Sequence, residues 1–374
     1  MKNKIFLTGV MVTLLGGISY VQAANFTATS PYAESHAITQ FKLNSFSERV
    51  AEGTNGGINF DVHSGGVLLS SSSALSGISD SVSDYGHVTG AYMPSDIPYD
   101  NVLNDLAFVA DDPMAAALAV TEIKLNNEIL QKEYRNNEVV FGSGYSLTNY
   151  YLICSEPIRN ADDLKGKRIR TGSSAQIKWA QSMGAISVSV PATEIYTGLQ
   201  RGNIDCSLGD ATFLTSSFML QEVAKHVTLL SLGTHTSGGE FFNRDFWSDR
   251  SEEERRLLLS ELAHAIAELQ VDWARQAKDA LKEAENNGVE LIQPSESLQS
   301  SLSTFVENFV AELPETAMQE RRVEDPTQLI EQYLSVEKQW KERLEGVDRT
   351  NIQEVANLIQ ENLYDNINLS QYGL

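Results

Sequence analysis

The sequence predicts an α/β fold of two domains, each with a central sheet whose strands alternate with helices. Residues 162–210 have the order strand, helix, strand, helix, strand, and residues 25–143 alternate in the same way. A third observation is the capping box Ser251-Glu252-Glu253-Glu254, which begins a helical pattern that continues to about Asn286. At roughly 1.5 Å per residue, such a helix is long enough to span both domains from behind.

The first 23 residues have the pattern of a cleavable signal peptide. Two lysines precede the apolar run Ile5–Ile18, and Val21-Gln22-Ala23 offers the small residues of a signal-peptidase site. We therefore expect the mature chain to begin at Ala24 and to be exported. No later segment approaches the roughly 18 apolar residues of a spanning helix, so we expect a soluble protein without direct membrane insertion.

The first domain is expected to alternate strands and helices between turns rich in glycine and polar residues. In order, we predict a strand Asn25–Ser30, a helix His36–Ala51, a strand Ile58–His63, a short helix Leu68–Ile78, a strand Asp84–Thr89, a long helix from Met114 to about Arg135 and a strand Glu138–Ser143.

The second domain contains the strand-helix-strand-helix-strand unit, whose helices end at Gly184 and Gly202. We predict a strand Asn149–Cys154, a strand Lys167–Arg170, a helix Ala175–Met183, a strand Ser187–Val190, a helix ending at Arg201, a strand Ile204–Leu208, a helix around Phe213–Lys225, a strand Val227–Ser231 and a strand with its turn over Ser237–Asn243. After the long helix we predict a short strand Glu290–Gln293 and a polar helical tail to Leu374.

The chain is strongly acidic. Its 374 residues carry 28 Lys and Arg against 50 Asp and Glu, a formal charge of −22. Such a surface repels nucleic acid and anionic lipid, so neither is an expected partner. An anionic ligand would have to be recognised locally, against this overall field.

Cys154 and Cys206 are the only cysteines, and each lies on or just after a predicted strand. In an oxidising compartment an even pair favours a disulfide, and adjacent strands could bring the two within reach. The alternative is two buried thiols that pack as small hydrophobic groups. Two cysteines alone are too few for a structural zinc site.

Arg170 is the candidate binding residue that the pattern itself suggests. Parallel sheets bind ligands outside the carboxyl ends of their strands, and Arg170 ends a predicted strand beside the start of the next helix. A guanidinium pairs with a carboxylate in a bidentate way, and the N–H groups of a helix start favour the same charge. An organic anion is therefore the expected ligand, although spacing alone leaves a surface ion pair equally open.

The sequence contains no motif that would support an enzymatic function. Six histidines, at positions 36, 63, 87, 226, 235 and 264, show no metal-binding helix spacing, and no Gly-x-Ser-x-Gly motif or phosphate loop occurs. The serine signature Ser335-Val336-Glu337-Lys338 lies in the acidic helical tail, where a solvated helix face is the better interpretation. We expect no catalytic residues, no metal and no cofactor.

Several spaced motifs together resemble a known family. These are Asp163-Leu164-Lys165-Gly166-Lys167-Arg168-Ile169-Arg170, then Met183-Gly184-Ala185, Pro191 and the run from Glu194 to Asp205. In this order they resemble the substrate-binding proteins of TRAP transporters, the DctP family. The likeness covers roughly residues 26–290, with Thr54-Asn55-Gly56-Gly57 and the helix after Ser251 also similar.

The resemblance implies a two-lobed periplasmic-binding-protein-like fold with a sheet in each lobe, hinge strands and a long interdomain helix. It divides the chain into a signal peptide (1–23), the first part of lobe I (24–147), lobe II (148–236), a return to lobe I with the long helix (237–285), and a C-terminal helical segment packed on the lobes (286–374).

By the same resemblance the protein is a periplasmic receptor that captures a small organic acid and delivers it to membrane permease subunits. A receptor serving a sensor, or a periplasmic hydrolase, is the alternative. Arg170 falls on the family's carboxylate-binding arginine. The resemblance also places further residues at the cleft, where core packing is the alternative for the aromatic ones: Tyr92, Tyr145, Thr148, Asp210, Thr212, Phe213 and Asn243.

One departure from the family bears on the ligand. Many members follow the Ile204-Asp205 position with a glycine and a Gln-Glu-Asn or Glu-Trp group, whereas this chain has Cys206-Ser207-Leu208-Gly209-Asp210. A second ligand carboxylate would be repelled by Asp210 unless that acid is protonated or bridged by a cation. We therefore expect a monocarboxylate with polar groups, such as a hydroxy or amino acid derivative.

Overall fold

The computed structural model describes residues 24–374, and the predicted signal peptide lies outside the described residues. The described chain forms two α/β lobes, each around one sheet. Its strands are β1 Ala24–Thr29, β2 Ile58–His63, β3 Tyr85–Val88, β4 Val139–Ser143, β5 Tyr150–Cys154, β6 Arg168–Thr171, β7 Ile186–Ser189, β8 Cys206–Asp210, β9 His226–Thr228, β10 Gly239–Asn243 and β11 Glu290–Ile292.

The α-helices of the same residues are α1 Phe46–Gly53, α2 Ala74–Ser79, α3 Pro98–Leu106, α4 Pro113–Asn126, α5 Glu128–Asn136, α6 Ser174–Ser182, α7 Ile195–Gln200, α8 Arg244–Ser248, α9 Glu252–Asn286, α10 Glu296–Arg321, α11 Thr327–Arg343 and α12 Ile352–Ile359. A π-helical segment, Ile38–Ser45, leads directly into α1. None of the described helices is both long and apolar enough to cross a bilayer.

The first sheet has the strand order β2-β1-β3-β10-β4. Strand β1 pairs in parallel with β2 and β3, whereas β10 is antiparallel to both β3 and β4. The chain therefore leaves this lobe after β4 and returns to it for β10. The carboxyl ends of β1 and β3 lie at the same edge of the sheet, which places the residues that follow them side by side.

The second sheet has the order β11-β9-β5-β8-β6-β7. Strand β6 pairs in parallel with β7 and β8, so the predicted strand-helix-strand-helix-strand unit is confirmed. Strand β5, which follows the first chain crossing, is antiparallel to both of its neighbours, β8 and β9. Strand β11, from beyond the long helix, pairs with β9. The residue boundaries given above for the lobes stay a prediction.

The long helix α9 begins at the predicted capping box, in which Ser251 accepts from the Glu254 backbone N–H and Glu254 accepts from that of Ser251. It packs against α1 of the first lobe and against the turn Ala211–Leu214 of the second. Gln270 donates to the carbonyl of Ser146 in the crossing between β4 and β5. The helix thus contacts both lobes and the chain that joins them.

Some predicted elements differ from the structure. The long helix predicted over 114–135 is broken at Asn127, because its side chain accepts from the N–H groups of Ile129 and Leu130 and so begins α5. The prediction of a helix around 213–225 is wrong. Only two short 3₁₀ turns form there, Ala211–Leu214 and Leu220–Glu222, and Met219 between them has a left-handed backbone with φ of 55°. Helix α2 is shorter than predicted, and β8 lies two residues later than predicted.

Cys154 and Cys206 lie directly opposite one another on β5 and β8. The structure joins them in a disulfide, and the described chain has no free cysteine. Both residues are buried in the second lobe. The bridge thus links the crossing strand β5 to the sheet that holds Arg170.

Candidate functional site

The carboxyl edges of the two sheets face each other across a cavity. About 400 Å³ of non-atom space lies among its lining residues, open solvent included, and only about 20 Å³ of it admits the centre of a water molecule, so little free space is left between the walls. Eight lining residues carry aromatic rings: Tyr32, His36, Tyr92, Tyr145, Tyr150, Phe213, Phe218 and His235. The other lining residues are Ile38, Thr89, Leu147, Arg170, Gly172 and Ala192.

Arg170 points from strand β6 into this cavity and is 2% exposed. Its Nε donates to the carbonyl of Val190 at 3.0 Å, and its Nη2 donates to the Tyr92 hydroxyl at 3.3 Å. Within the described chain Nη1 makes no hydrogen bond. A Cβ added at Gly172 would lie 3.1 Å from Nη1, so this glycine keeps space open beside the guanidinium.

The partners of Arg170 are neutral, and no described carboxylate forms an ion pair with it. A buried charge without a counter-ion is costly, because protein dipoles replace water only in part. Two of the three other buried cations of the described chain are paired, Lys42 with Glu240 and Lys124 with Asp100. The third, Arg255, has no ion pair but does not line the cavity. Arg170 is therefore poised to take a negative charge from outside the chain.

Tyr92 joins the two lobes across the cavity. It ends a short 3₁₀ turn, Gly90–Tyr92, that follows β3 in the first lobe. Its hydroxyl accepts from Nη2 of Arg170 and from the backbone N–H of Ala192 at 2.9 Å, both in the second lobe. The described conformation is thus one in which the lobes touch.

A second contact between the lobes lies outside the cavity. Asp105 of α3 accepts from the backbone N–H of Ala175, at the start of α6, at 3.1 Å. Arg321, the last residue of α10, pairs with the same carboxylate and donates to the Ser174 hydroxyl at 2.8 Å. The C-terminal segment therefore contributes to holding the lobes together.

The histidine rings in the cavity wall are neutral. Burial, reinforced by the charge of Arg170, lowers the pKa of His235 to about 3, and burial lowers that of His36 to about 3. Burial also raises the pKa of Tyr145 and Tyr150 well above the usual value, so both phenols stay protonated. At neutral pH, Arg170 is the single charged side chain among the lining residues.

A buried ionic cluster supports the first-lobe wall. Lys42 and His87 contact opposite oxygens of Glu240, at 2.9 Å and 2.7 Å, and the His87 ring packs against those of Tyr32 and Tyr145. Burial alone would raise the pKa of Glu240, but Lys42 and His87 outweigh it and hold the pKa at about 2. The carboxylate stays ionised and joins β10 to His87 of β3, whose ring packs against the two tyrosines.

Of the predicted site residues, Arg170, Tyr92, Tyr145 and Phe213 line the cavity. The others do not. Asn243 has a structural place instead: its Oδ1 accepts from the N–H of Phe246 at the start of α8, and its Nδ2 donates to the carbonyl of Ile78.

Asp210 and Thr212 lie behind the lining. Oδ1 of Asp210 accepts from the N–H and hydroxyl of Thr212 at 2.7 Å and 2.6 Å, while Oδ2 has no partner in the described chain. Burial raises the pKa of Asp210 to about 7. The Thr148 hydroxyl, in the crossing before β5, is likewise buried without a partner. The carboxyl of Asp210 thus caps a turn and is not among the lining residues, and its expected part in selecting the ligand stays a prediction.

Ten lining residues were not singled out as site residues from the sequence, and six of them carry a polar or aromatic side chain: Tyr32, His36, Thr89, Tyr150, Phe218 and His235. Tyr32 and Thr89 follow the carboxyl ends of the parallel strands β1 and β3, so the strand-end rule applied to Arg170 could have found them. His235 comes from the crossing before β10, and no local signal marks it.

Comparisons with known proteins agree with this architecture. Residues 29–316 match the model of the bacterial extracellular solute-binding protein family 7, DctP. The ectoine-binding periplasmic protein TeaA of Halomonas elongata is 30% identical over 138 residues, 37% of this chain and 40% of that protein. A solute-binding protein of Albidiferax ferrireducens is 23% identical over 193 residues, 52% of this chain and 56% of that protein. The chain thus spans about half the length of these curated relatives.

Solved structures share the fold. A TRAP solute-binding protein of Rhodoferax ferrireducens, in complex with copurified benzoate, has a TM-score of 0.76 at 17% identity and covers 86% of this chain and 99% of its own. One from Bordetella bronchiseptica, with bound (R)- and (S)-mandelate, has a TM-score of 0.72 at 19% identity, with coverages of 84% and 99%. The two-lobed periplasmic-binding-protein-like fold is therefore confirmed. Because the family model matches well over half of the residues, the chain belongs to the DctP family of bacterial extracellular solute-binding proteins.

Proposed function

We propose that this protein is the periplasmic receptor of a TRAP-type transporter, which captures a small organic acid anion between its lobes and delivers it to membrane permease subunits. The observation that carries this proposal is the buried guanidinium of Arg170, which faces the cavity with Nη1 free and has neutral partners in the described chain. A ligand carboxylate would supply the missing charge and accept from the fork of N–H groups.

Capture by domain closure is supported by the contact of Tyr92 with Arg170 and Ala192. A ligand held by Arg170 from one lobe and by aromatic rings from both would stabilise the closed form over the open one. Binding shifts this equilibrium only as far as the ligand prefers the closed state. The narrowness of the cavity means that the lobes must separate to admit the ligand.

The comparisons support the ligand class and the compartment. Benzoate and mandelate, bound by the two structural relatives, are both small carboxylates. The family model describes extracellular proteins, which agrees with the signal peptide expected from residues 1–23. Delivery to permease subunits is inferred from the same membership.

A thermal-shift screen of organic acids on the chain from residue 24 tests the proposal. A ligand at 100 times its Kd should stabilise the protein by about 2.7 kcal/mol and raise Tm. Arg170→Met should abolish the shift, because an apolar side chain cannot pair with the carboxylate. Arg168→Met is the matched control: Arg168 lies on the same strand but pairs with Asp205 near the surface, so its loss should leave the shift intact.

Two results would count against the proposal. Shifts that survive Arg170→Met unchanged would remove this residue from the site. Conversion of the stabilising acid to a product, followed by NMR over hours, would indicate a hydrolase instead of a receptor.

A further inference from the structure

We propose that the cavity accepts a planar aromatic monocarboxylate, with its carboxylate on Arg170 and its ring between the aromatic side chains of the walls. The inference rests on the proposed receptor function and narrows the ligand of the same site.

The cavity leaves little free space between its walls. About 400 Å³ of non-atom space lies among the surrounding atoms, open solvent included, and only about 20 Å³ of it can hold a water centre. The walls must therefore move apart to admit any ligand. A flat ring needs a smaller separation than a puckered ring or a branched chain, and a closely packed interior resists such separation.

The walls present both faces and edges of rings. Tyr32 and His36 stack with centroids 4.3 Å apart and planes at 17°, and Phe218 lies 5.9 Å from His36. Phe213 meets Phe218 edge to face, at 4.7 Å and 88°. Aromatic pairs gain from stacked and edge-to-face arrangements beyond the area that they bury. An aromatic ligand could therefore make stacked or edge-to-face contacts with these wall rings.

The charges of the lining match one carboxylate. Arg170 alone is charged, and the imidazoles of His36 and His235 are neutral. A second carboxylate would be buried without a counter-charge, and an ammonium group would find no carboxylate among the lining residues. Dicarboxylates and amino acids are thereby disfavoured. Asp210, which suggested an amino acid derivative from the sequence, does not reach the lining.

Isothermal titration of four acids into the protein from residue 24, freed of copurified ligand by unfolding and refolding, tests the inference. Benzoate is the probe, and cyclohexanecarboxylate has the same carbon count without planarity. Terephthalate adds a second carboxylate to the ring, and succinate is an aliphatic dicarboxylate. Benzoate should bind about two- to tenfold more tightly than cyclohexanecarboxylate, because aromatic pairs add only a modest energy to burial. It should bind at least about tenfold more tightly than either dicarboxylate, because the second carboxylate would be buried without a counter-charge.

A pair of variants tests the wall itself. Phe218→Leu keeps an apolar side chain but removes the ring, so it should weaken benzoate by about two- to tenfold and leave cyclohexanecarboxylate unchanged. Phe305→Leu, a half-buried ring on α10 away from the cavity, is the matched control and should change neither.

The outcomes separate this inference from the function on which it rests. If cyclohexanecarboxylate or succinate binds as tightly as benzoate, and Arg170→Met abolishes that binding, the aromatic inference is overturned while the receptor function stands. If none of the four acids binds while another acid of the thermal-shift screen does, the aromatic inference alone is overturned. If binding persists unchanged in Arg170→Met, both are overturned.

Discussion

Asp210 is a buried acid whose two oxygens have different surroundings. Oδ1 accepts two hydrogen bonds from Thr212, whereas Oδ2 has no partner in the described chain. Burial outweighs these bonds and raises its pKa from 3.8 to about 7. The folded protein therefore holds a proton over a pH range in which the unfolded chain releases it.

This proton makes stability depend on pH. Because the folded pKa is raised, the stabilisation is fully present below about pH 4 and is lost as the pH rises through about 7. Asp210→Asn cannot titrate, so urea unfolding of the variant should show a smaller fall in the free energy of unfolding over this range. Summed from pH 4 to pH 7, the fall in the free energy of unfolding should differ between the two proteins by at most about 4 kcal/mol.

The control for this measurement is Asp80→Asn, at an exposed position, which should keep the wild-type dependence. Burial also raises the pKa of Glu133, to about 8, so this residue makes the free energy of unfolding fall with pH as well. Its contribution is the same in the wild type and in both variants, and it therefore cancels when they are compared. A wild-type slope in Asp210→Asn would contradict the assignment of a buried, protonated acid.

For individual site residues, the sequence predicted which positions lie near the cleft better than it predicted where their side chains point. Arg170 could be predicted because a strand end, a helix start and a family motif coincide there. The orientation of Asp210 could not be predicted, because β8 extends to residue 210 and the carboxyl therefore caps the turn after the strand. Turn residues and periodicity do not locate the end of a strand to within two residues. An error of that size is enough to change where a side chain at the strand end points.

Among the elements, the π-helical segment, β3, β4 and β10 meet at one buried ionic cluster. Lys42 donates to Glu240, Ser143 and the Gly144 carbonyl, although 198 residues separate it from Glu240. A helical pattern over 36–51 is readable from the sequence. The burial of its lysine is not, since the partner comes from a distant strand.

Lys42→Met should lower the free energy of unfolding by about 3–5 kcal/mol, because it leaves Glu240 ionised and buried without its main counter-charge. Urea unfolding at neutral pH measures the loss. Lys165→Met provides the comparison: its pair with Asp162 is solvent-exposed, so its removal should change stability very little. Equal losses in the two variants would mean that the Lys42 pair does not stabilise the first lobe.

The disulfide of β5 and β8 makes a separate prediction. In the unfolded oxidised chain a thiol reagent should detect no cysteine, and after reduction it should detect two. Replacing Cys154 and Cys206 together by alanine should cost about 2–4 kcal/mol of stability, because the unfolded chain loses a cross-link. Two reactive thiols before reduction would show that the cysteines are unpaired.

At the scale of the whole molecule, the lobes touch through Tyr92 in the cavity and through Asp105 outside it. The two-lobed fold and the long helix were predictable, since both follow from periodicity and capping. The role of the C-terminal segment was not: Arg321 meets Asp105 across 216 residues, and no local pattern reports such a pair. From the sequence, the C-terminal segment could be predicted only to be polar and helical.

The central claim is that an organic anion binds between the lobes on Arg170. A crystal structure of the protein with the acid that raises Tm most tests it directly. We expect closed lobes, with the ligand carboxylate about 2.7–2.9 Å from the guanidinium nitrogens of Arg170 and the rest of the ligand against the aromatic walls. A ligand bound elsewhere, or one whose carboxylate makes no contact with Arg170, would contradict the account.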